Sequence, residues 1–127
     1  MITMAVRGIR GATVVAENTA AAIVAETKTL LQALLTQNQI DIDQIASIFF
    51  SVTADLNAEF PAVAAREIGL VHTPLFCLSE IPVPHALPRC IRILIHLNTD
   101  KSQQEMIHVY LKEAQALRPD TQKGPAT

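Results

Sequence analysis

Aromatic residues and charges are both scarce in this chain of 127 residues. Trp is absent, and Phe, Trp and Tyr together make up 4% of the sequence. So few aromatic rings leave little surface on which nucleic-acid bases could stack. The formal net charge of −2 also provides no positive field for a phosphate backbone. We therefore expect no nucleic-acid partner.

Long apolar runs and cysteines are scarce as well. No stretch approaches the roughly 20 consecutive apolar residues of a membrane-spanning helix. The first ten residues contain no apolar segment of the secretory-signal type. Cys77 and Cys90 are too few to form the disulfide framework of a small secreted domain. We therefore expect a cytoplasmic protein that does not bind membranes and keeps its thiols reduced.

Charged residues make up 17% of the chain, against about 25% in an average soluble protein. Apolar residues make up 50%. A domain of this size has a large surface for its volume and needs polar groups to cover it. We expect part of the apolar surface to be buried against other copies of the chain, in a homo-oligomer.

Helical and extended patterns alternate along residues 1–120 and predict a single α+β domain, followed by a mobile tail over 121–127. The predicted strands cover 6–15, 45–53, 73–78, 89–97 and 114–117, and the predicted helices run from 18 to about 37, from 55 or 57 to 69, and from 102 to about 110. We expect parallel strand pairing across the first helix and antiparallel pairing later. The result is a mixed sheet with helices on one face and the other face buried in the oligomer.

Residues that favour N-cap positions mark where the predicted helices begin. Asn18 is predicted to cap the first helix, and either Asp55 or Asn57 the second. Ser102 and Glu105 form the S-x-x-E pattern of a capping box for the third. Residues 79–88 contain three prolines and are predicted to form a loop.

The strand over 89–97 presents two different faces because side chains alternate along a strand. One face is uniformly apolar, with Ile91, Ile93, Ile95 and Leu97, and the other carries Cys90, Arg92, Leu94 and His96. An arginine in the middle of such a strand can contact an anion with five fixed donors. It can equally be exposed or form an interface ion pair, and the residue alone favours this second interpretation.

The first predicted strand also carries two arginines. Arg7 and Arg10 are three residues apart and point to opposite faces of an extended strand. Gly8 and Gly11 allow a ligand or a neighbouring backbone to approach closely. A ligand with two carboxylates could bridge Arg10 and another arginine, although the spacing alone favours two solvated side chains.

Motifs for covalent, metal or cofactor chemistry are missing from the sequence. Cys77 and Glu80 flank the end of the third predicted strand, where the proline-rich loop begins, without a recognisable catalytic partner. The four histidines lack metal-ligand spacing, and the chain contains no glycine-rich phosphate loop. We therefore expect neither a metal nor a cofactor. The remaining candidates are arginines, one carboxylate, a thiol and the single tyrosine, Tyr110.

Six sequence runs, in order, resemble the small monofunctional bacterial chorismate mutases that form trimers. The runs are RGIRGAT at 7–13, SVTADLNAEFPA at 51–62, AARE at 64–67, RCIR at 89–92, HVYL at 108–111 and LRPD at 117–120. The resemblance covers residues 6–120. It implies a mixed sheet packed on one long helix plus short helices, assembled as a pseudo α/β-barrel homotrimer with active sites between subunits.

The resemblance also implies a reaction and a set of catalytic residues. The reaction is the Claisen rearrangement of chorismate to prephenate in phenylalanine and tyrosine biosynthesis, without a cofactor. Arg92 matches the residue that donates to the ether oxygen of the breaking bond, and Arg10 the residue that holds a substrate carboxylate. Tyr110 matches a tyrosine that contacts a carboxylate or the ether oxygen, and Glu80 the carboxylate that accepts from the ring hydroxyl.

Further positions match substrate-binding residues of the family. Cys77 lies close to the ring hydroxyl contact, and Leu75 and Phe76 directly before it also match. Leu117 and Arg118 match the start of a tail that closes over the site. Three residues match positions that reach across from the adjacent subunit: Phe60, Ala62 and Arg66. Two positions depart from the pattern, because Val63 replaces a lysine at the mouth of the cleft and Phe76 replaces a smaller polar residue.

Three alternative functions use the same residues. An arginine-lined cleft between subunits would suit a non-catalytic trimeric protein that binds small carboxylate metabolites. The second alternative is an imine or enamine hydrolase of similar trimeric architecture. The third is an interaction scaffold. Glu80 and Tyr110 beside Arg92 favour the mutase, because a protein that only binds has no need to match the ether oxygen. A unimolecular rearrangement also needs no nucleophile, which agrees with the sequence.

Overall fold

A computed structural model of the chain describes residues 4–118, so the tail predicted for 121–127 lies outside the described residues. The strands are β1 (Ala5–Val14), β2 (Ile45–Val52), β3 (Leu75–Ser79), β4 (Cys90–Thr99) and β5 (Val109–Tyr110). The helices are α1 (Ala20–Gln37) and α2 (Ala62–Glu67), with 3₁₀ turns at Ile42–Gln44, Gln103–Glu105 and Lys112–Leu117. Among the described residues, no helix is long and apolar enough to cross a membrane.

The five strands form one mixed sheet in the order β3-β2-β4-β1-β5. The central strand β4 is antiparallel to both β1 and β2, whereas β2–β3 and β1–β5 are parallel pairs. The mixed sheet was predicted, but parallel pairing across α1 was wrong. The long apolar strand β4 lies between β1 and β2, so the parallel pairs form across α2 and at the β5 edge instead.

The main core lies between α1, α2 and one face of the sheet. The predicted alternation in β4 is confirmed, because Ile91, Ile93, Ile95 and Leu97 are buried while Arg92 is exposed. The buried stripe of α1 consists of Ile23, Thr27, Leu30, Leu31 and Leu34. Both helices therefore cover the same sheet face, as expected.

The helix N-termini differ from the prediction. Thr19 caps α1 by accepting a hydrogen bond from the Ala22 backbone N–H at 3.1 Å. Asn18 instead accepts from the backbone N–H of Asn57 at 3.1 Å and ties the two loops together. Pro61 occupies the N-cap position of α2, so neither Asp55 nor Asn57 caps that helix. Gly69 follows α2 at φ +106°, a conformation that suits the helix-closing glycine.

The C-terminal part of the sheet also differs. The capping box of Ser102 and Glu105 is present, but it opens one 3₁₀ turn rather than a helix to residue 110. Beyond this turn the side chain of Asn38 binds the backbone N–H and C=O of Ile107, at 2.7 and 2.9 Å, and the chain continues as β5. The strand predicted over 114–117 belongs to the 3₁₀ turn Lys112–Leu117. This turn packs on the sheet face opposite α1, against Ala12, Val14 and Cys90 through Ala114 and Leu117.

Candidate active site

Side chains from β1, β2, β4 and β5 surround a cleft of about 320 Å³ on the sheet face opposite α1. The antiparallel register places Arg92 on β4 opposite Ala12 on β1, and the parallel register places Tyr110 opposite the same Ala12. Four predicted site residues line the cleft together: Arg10, Arg92, Tyr110 and Leu117. Phe49, Ser51, Leu78 and Leu94 complete its walls.

An ion pair fixes Arg92 at the cleft. Its Nε lies 3.0 Å from Oε2 of Glu80, and the Arg92 side chain remains 49% exposed. The same Oε2 accepts a hydrogen bond from Ser51 Oγ at 3.1 Å, and Oε1 accepts from the Ile81 backbone N–H at 3.2 Å. Glu80 is therefore held by Ser51 of β2 and by the backbone of its own loop. Its carboxylate orients a guanidinium group that still reaches the cleft.

Arg10 is held by the segment that carries Tyr110. The Arg10 backbone N–H donates to Nδ1 of His108 at 2.9 Å, and Leu111 N–H donates to the carbonyl of Ala12 at 2.9 Å. Burial lowers the pKa of His108, and the charge of Arg10 lowers it further. The imidazole is therefore neutral at neutral pH and accepts the hydrogen bond.

The two cysteines are free thiols in different surroundings. Cys90 is buried on the Arg92 side of β4, and burial raises the pKa of its thiol although the charge of Arg92 opposes the shift. A neutral, buried thiol of this kind serves as packing. Within residues 4–118, His, Cys, Asp and Glu side chains form no cluster of three or more that could hold a metal ion.

A second pocket of about 360 Å³ lies beside the cleft and contains Phe60 and Cys77. Leu78 lines both cavities. Phe60 and the edge-strand residue Phe76 are 67% and 58% exposed, and the Phe76 ring makes an edge contact with Phe49 at 5.9 Å between centroids. Of the predicted substrate-binding residues, Leu117 therefore lines the cleft, Phe60 and Cys77 line the second pocket, and Phe76 lines neither.

The remaining predicted residues lie away from the cleft of their own chain. Ala62 is buried at the start of α2, and Arg66 is exposed near its end. Leu75 packs against the main core, and Arg118 follows Leu117 at the end of the described chain. None of these four residues lines the cleft formed by its own chain.

Comparison with known proteins identifies the family. The family model for chorismate mutase type I matches residues 6–121. The chain belongs to the type I chorismate mutase family. Chorismate mutase AroH of Thermus thermophilus is 49% identical over 120 residues, which cover 94% of this chain and 98% of that protein. Chorismate mutase AroH of Bacillus subtilis (strain 168) is 40% identical over 118 residues, which cover 92% and 93%.

A solved structure agrees with this assignment. The chorismate mutase from Clostridium thermocellum superposes with a TM-score of 0.84 at 50% identity, covering 86% of this chain and 97% of that one. The predicted α+β fold and the predicted enzyme are thereby confirmed. This chorismate mutase is an isomerase that converts chorismate to prephenate, and a non-catalytic binding protein is not favoured.

Sequence reasoning missed two residues that line the cleft and one that contacts a residue of its lining. Ser51 and Phe49 lie on the cleft face of β2, which the alternation of a buried strand could have indicated. His108 was considered only as a metal ligand. Its contact with Arg10 links residues 98 positions apart, so no local pattern signals it.

Proposed function

We propose that this chorismate mutase works as a homotrimer in the cytoplasm, with each active site formed between two subunits. One subunit supplies the cleft residues Arg10, Arg92, Tyr110 and Leu117, together with Glu80 beside Arg92. The neighbouring subunit supplies Phe60, Ala62 and Arg66, and the site is completed by Leu75, Phe76, Cys77 and Arg118. The free thiols of Cys77 and Cys90 suit a reducing compartment.

The observation that carries the proposed site is the fixed guanidinium of Arg92 beside Arg10 and Tyr110. In the rearrangement, the ether C–O bond of chorismate breaks and a C–C bond forms within the same molecule. Negative charge builds on the ether oxygen because C–O cleavage runs ahead of C–C formation. A cation held in place by Glu80 binds this transition state better than the ground state.

Arg10 and Tyr110 have a different task. Chorismate must adopt a folded conformation before its ends can react, and freezing its rotations removes part of the entropic barrier. Arg10 holds one carboxylate and Tyr110 a second carboxylate or the ether oxygen, from the paired strands β1 and β5 that line a cleft of about 320 Å³. Glu80 accepts from the ring hydroxyl while it orients Arg92.

Exposed apolar side chains support a shared site. Phe60, Phe76, Leu78, Ile81 and Val83 are each at least 43% exposed. All five lie between the end of β2 and the start of β4, and Phe60 and Leu78 among them line the cavities. An apolar surface of this kind is typical of a protein–protein interface, and a second subunit on it would bring the pocket of Phe60 to a neighbouring cleft.

The proposed role of Arg92 is tested by following the loss of the ultraviolet absorbance of chorismate. Arg92→Ala should lower kcat by at least ~10²–10³-fold, because one preorganised donor at a developing charge contributes that much. Arg7→Ala is the matched control. Arg7 lies on β1 outside the cleft lining and donates to the Lys101 carbonyl at 2.9 Å. Near-normal turnover by a folded, trimeric Arg92→Ala protein would contradict the mechanism.

A further inference from the structure

The β1–β5 ladder is extended by a side chain. The two strands pair directly at only two positions, Gly11 with Val109 and Ala12 with Tyr110. One residue earlier on β1, the Arg10 backbone N–H donates to Nδ1 of His108 at 2.9 Å. The imidazole therefore takes the place that a strand carbonyl would occupy.

This contact fixes the protonation of the ring. A backbone N–H only donates, so Nδ1 must carry its lone pair, and an imidazolium could not form the bond. The charged group acting on His108 is Arg10 of β1, and burial acts in the same direction on its pKa. From α1, the uncharged side chain of Asn38 holds the adjacent backbone of Ile107. These surroundings keep the ring in its neutral, accepting form.

The contact also joins two residues of the proposed site. His108 lies two positions before Tyr110, and both Tyr110 and Arg10 line the cleft. Hydrogen bonds tie Asn38, just after α1, to the backbone of Ile107 and tie the next residue, His108, to Arg10. The position of the Arg10 backbone relative to Tyr110 is therefore set by this segment rather than by β5 alone.

We propose that His108 is a positioning residue whose neutral ring aligns Arg10 with Tyr110 for substrate binding. The inference rests on the proposed role of Arg10. A carboxylate contact made equally in the ground and transition states affects KM and leaves kcat unchanged. Loss of the acceptor should therefore raise KM, because Arg92 on β4 keeps its own ion pair with Glu80.

Two substitutions of nearly equal shape distinguish the role of His108 as a hydrogen-bond acceptor from its role in packing. In His108→Asn, the amide oxygen can occupy the place of Nδ1 and does not ionise, whereas His108→Leu removes the acceptor. We expect His108→Leu to raise KM on the order of tenfold, the effect of one lost hydrogen bond, with kcat nearly unchanged. His108→Asn should remain close to the unsubstituted enzyme. Thermal unfolding of both variants shows whether each is folded.

Three results would overturn the inference: an unchanged KM in His108→Leu, an equal rise in His108→Asn, or a loss confined to kcat. If His108→Leu does not fold, a raised KM in folded His108→Asn would also overturn it, and an unchanged KM would support it. Arg10→Ala is measured in parallel. A large rise in KM for Arg10→Ala beside a normal His108→Leu overturns the His108 inference alone. An unchanged KM in Arg10→Ala overturns the proposed role of Arg10 as well.

Discussion

The guanidinium group of Arg92 both pairs with Glu80 and faces the cleft. Its Nε is committed to Glu80 at 3.0 Å, while about half of the side chain is exposed toward the cleft. A planar group with five donors can hold an ion pair along one edge and still donate from another. The direction of the charge at the cleft is therefore fixed by Glu80 and Ser51 before substrate arrives.

Arg92→Lys keeps the charge but loses this geometry. An ammonium group on a flexible stem cannot hold Glu80 and donate to a fixed ether oxygen in the same way. We expect kcat to fall on the order of 10²-fold or more, as for loss of a preorganised donor. The ultraviolet assay measures the change, with Arg7→Lys as the control. Near-normal turnover in Arg92→Lys would show that charge matters more than its placement.

Asp55 fixes the backbone just before β4. The residue that it holds, Arg89, precedes the first strand residue, Cys90, and is three positions before Arg92. Its two oxygens accept from the Arg89 backbone N–H at 3.2 and 3.0 Å, and Oδ1 accepts from Thr53 Oγ1 at 2.5 Å. Burial raises the pKa of Asp55, but these hydrogen bonds outweigh it and lower the pKa below its ordinary value. The carboxylate form therefore stabilises the folded chain.

Asp55→Asn should lower the melting temperature at pH 7 by a few degrees. A carboxylate whose folded pKa is depressed stabilises the protein above its unfolded pKa of about 3.9, and the effect disappears as pH falls through the folded value. The difference in melting temperature between Asp55→Asn and the unsubstituted protein should thus shrink from pH 7 to pH 3. Asp100→Asn, in the turn after β4, controls for the loss of one acidic side chain. An Asp55→Asn difference that stays constant over this range would contradict the argument.

At the scale of elements, Gly11 allows β1, α1 and β5 to pack closely together. It lies on β1 beneath α1 and opposite Val109 of β5. A Cβ at this position would lie 2.9 Å from Leu34 Cδ1 and 3.0 Å from the Val109 carbonyl oxygen. The backbone contact cannot be relieved by a side-chain rotation, so any added group must displace β5.

Gly11→Ala should therefore reduce the free energy of unfolding by ~1–3 kcal/mol, as overpacking does. It should also raise KM, because β5 carries Tyr110. Gly8→Ala is the control, since a Cβ there would lie an ordinary 3.8 Å from Leu94 Cδ1. Urea unfolding and steady-state kinetics measure both effects. Equal stability losses in the two variants would disprove the close approach at Gly11.

The elements that could be predicted are those whose pattern is local and long. The alternation in β4 and the apolar stripe of α1 appear directly in the sequence, and both occur where expected. The structure of the segment after Ser102 could not be predicted. Its backbone is held at Ile107 by the side chain of Asn38, which lies 69 positions earlier in the sequence. A capping box specifies where a helix begins but not how far it continues.

The same distinction applies to the site. Arg10, Arg92 and Tyr110 were found through runs that resemble the family, and the structure brings them to one cleft. Alternation alone placed Arg92 on the correct face but gave no partner for it. Ser51 and His108 act through contacts between strands distant in sequence, and strand order cannot be read from periodicity.

At the scale of the whole molecule, the proposed function gives each chain two incomplete halves of an active site. The cleft contains Arg92, whereas Phe60 lies in the adjoining pocket and Arg66 is exposed on α2. In the proposed trimer, each cleft would receive the second half from the next subunit around the ring. Neither half would then be active without its neighbour.

Mixing two inactive variants tests this arrangement. Arg92→Ala damages one half of the proposed site and Arg66→Ala the other. After both are unfolded and refolded together, every hybrid trimer should contain one site with both halves intact, so equal mixing should restore roughly a quarter of the unsubstituted activity. Each variant refolded alone is the control, and light scattering confirms the trimer. If hybrid trimers form and activity stays at the level of the controls, both arginines act within the same site of one subunit or Arg66 has no role. Recovery would mean that catalysis depends on the assembly, because no single chain in the mixture carries both arginines.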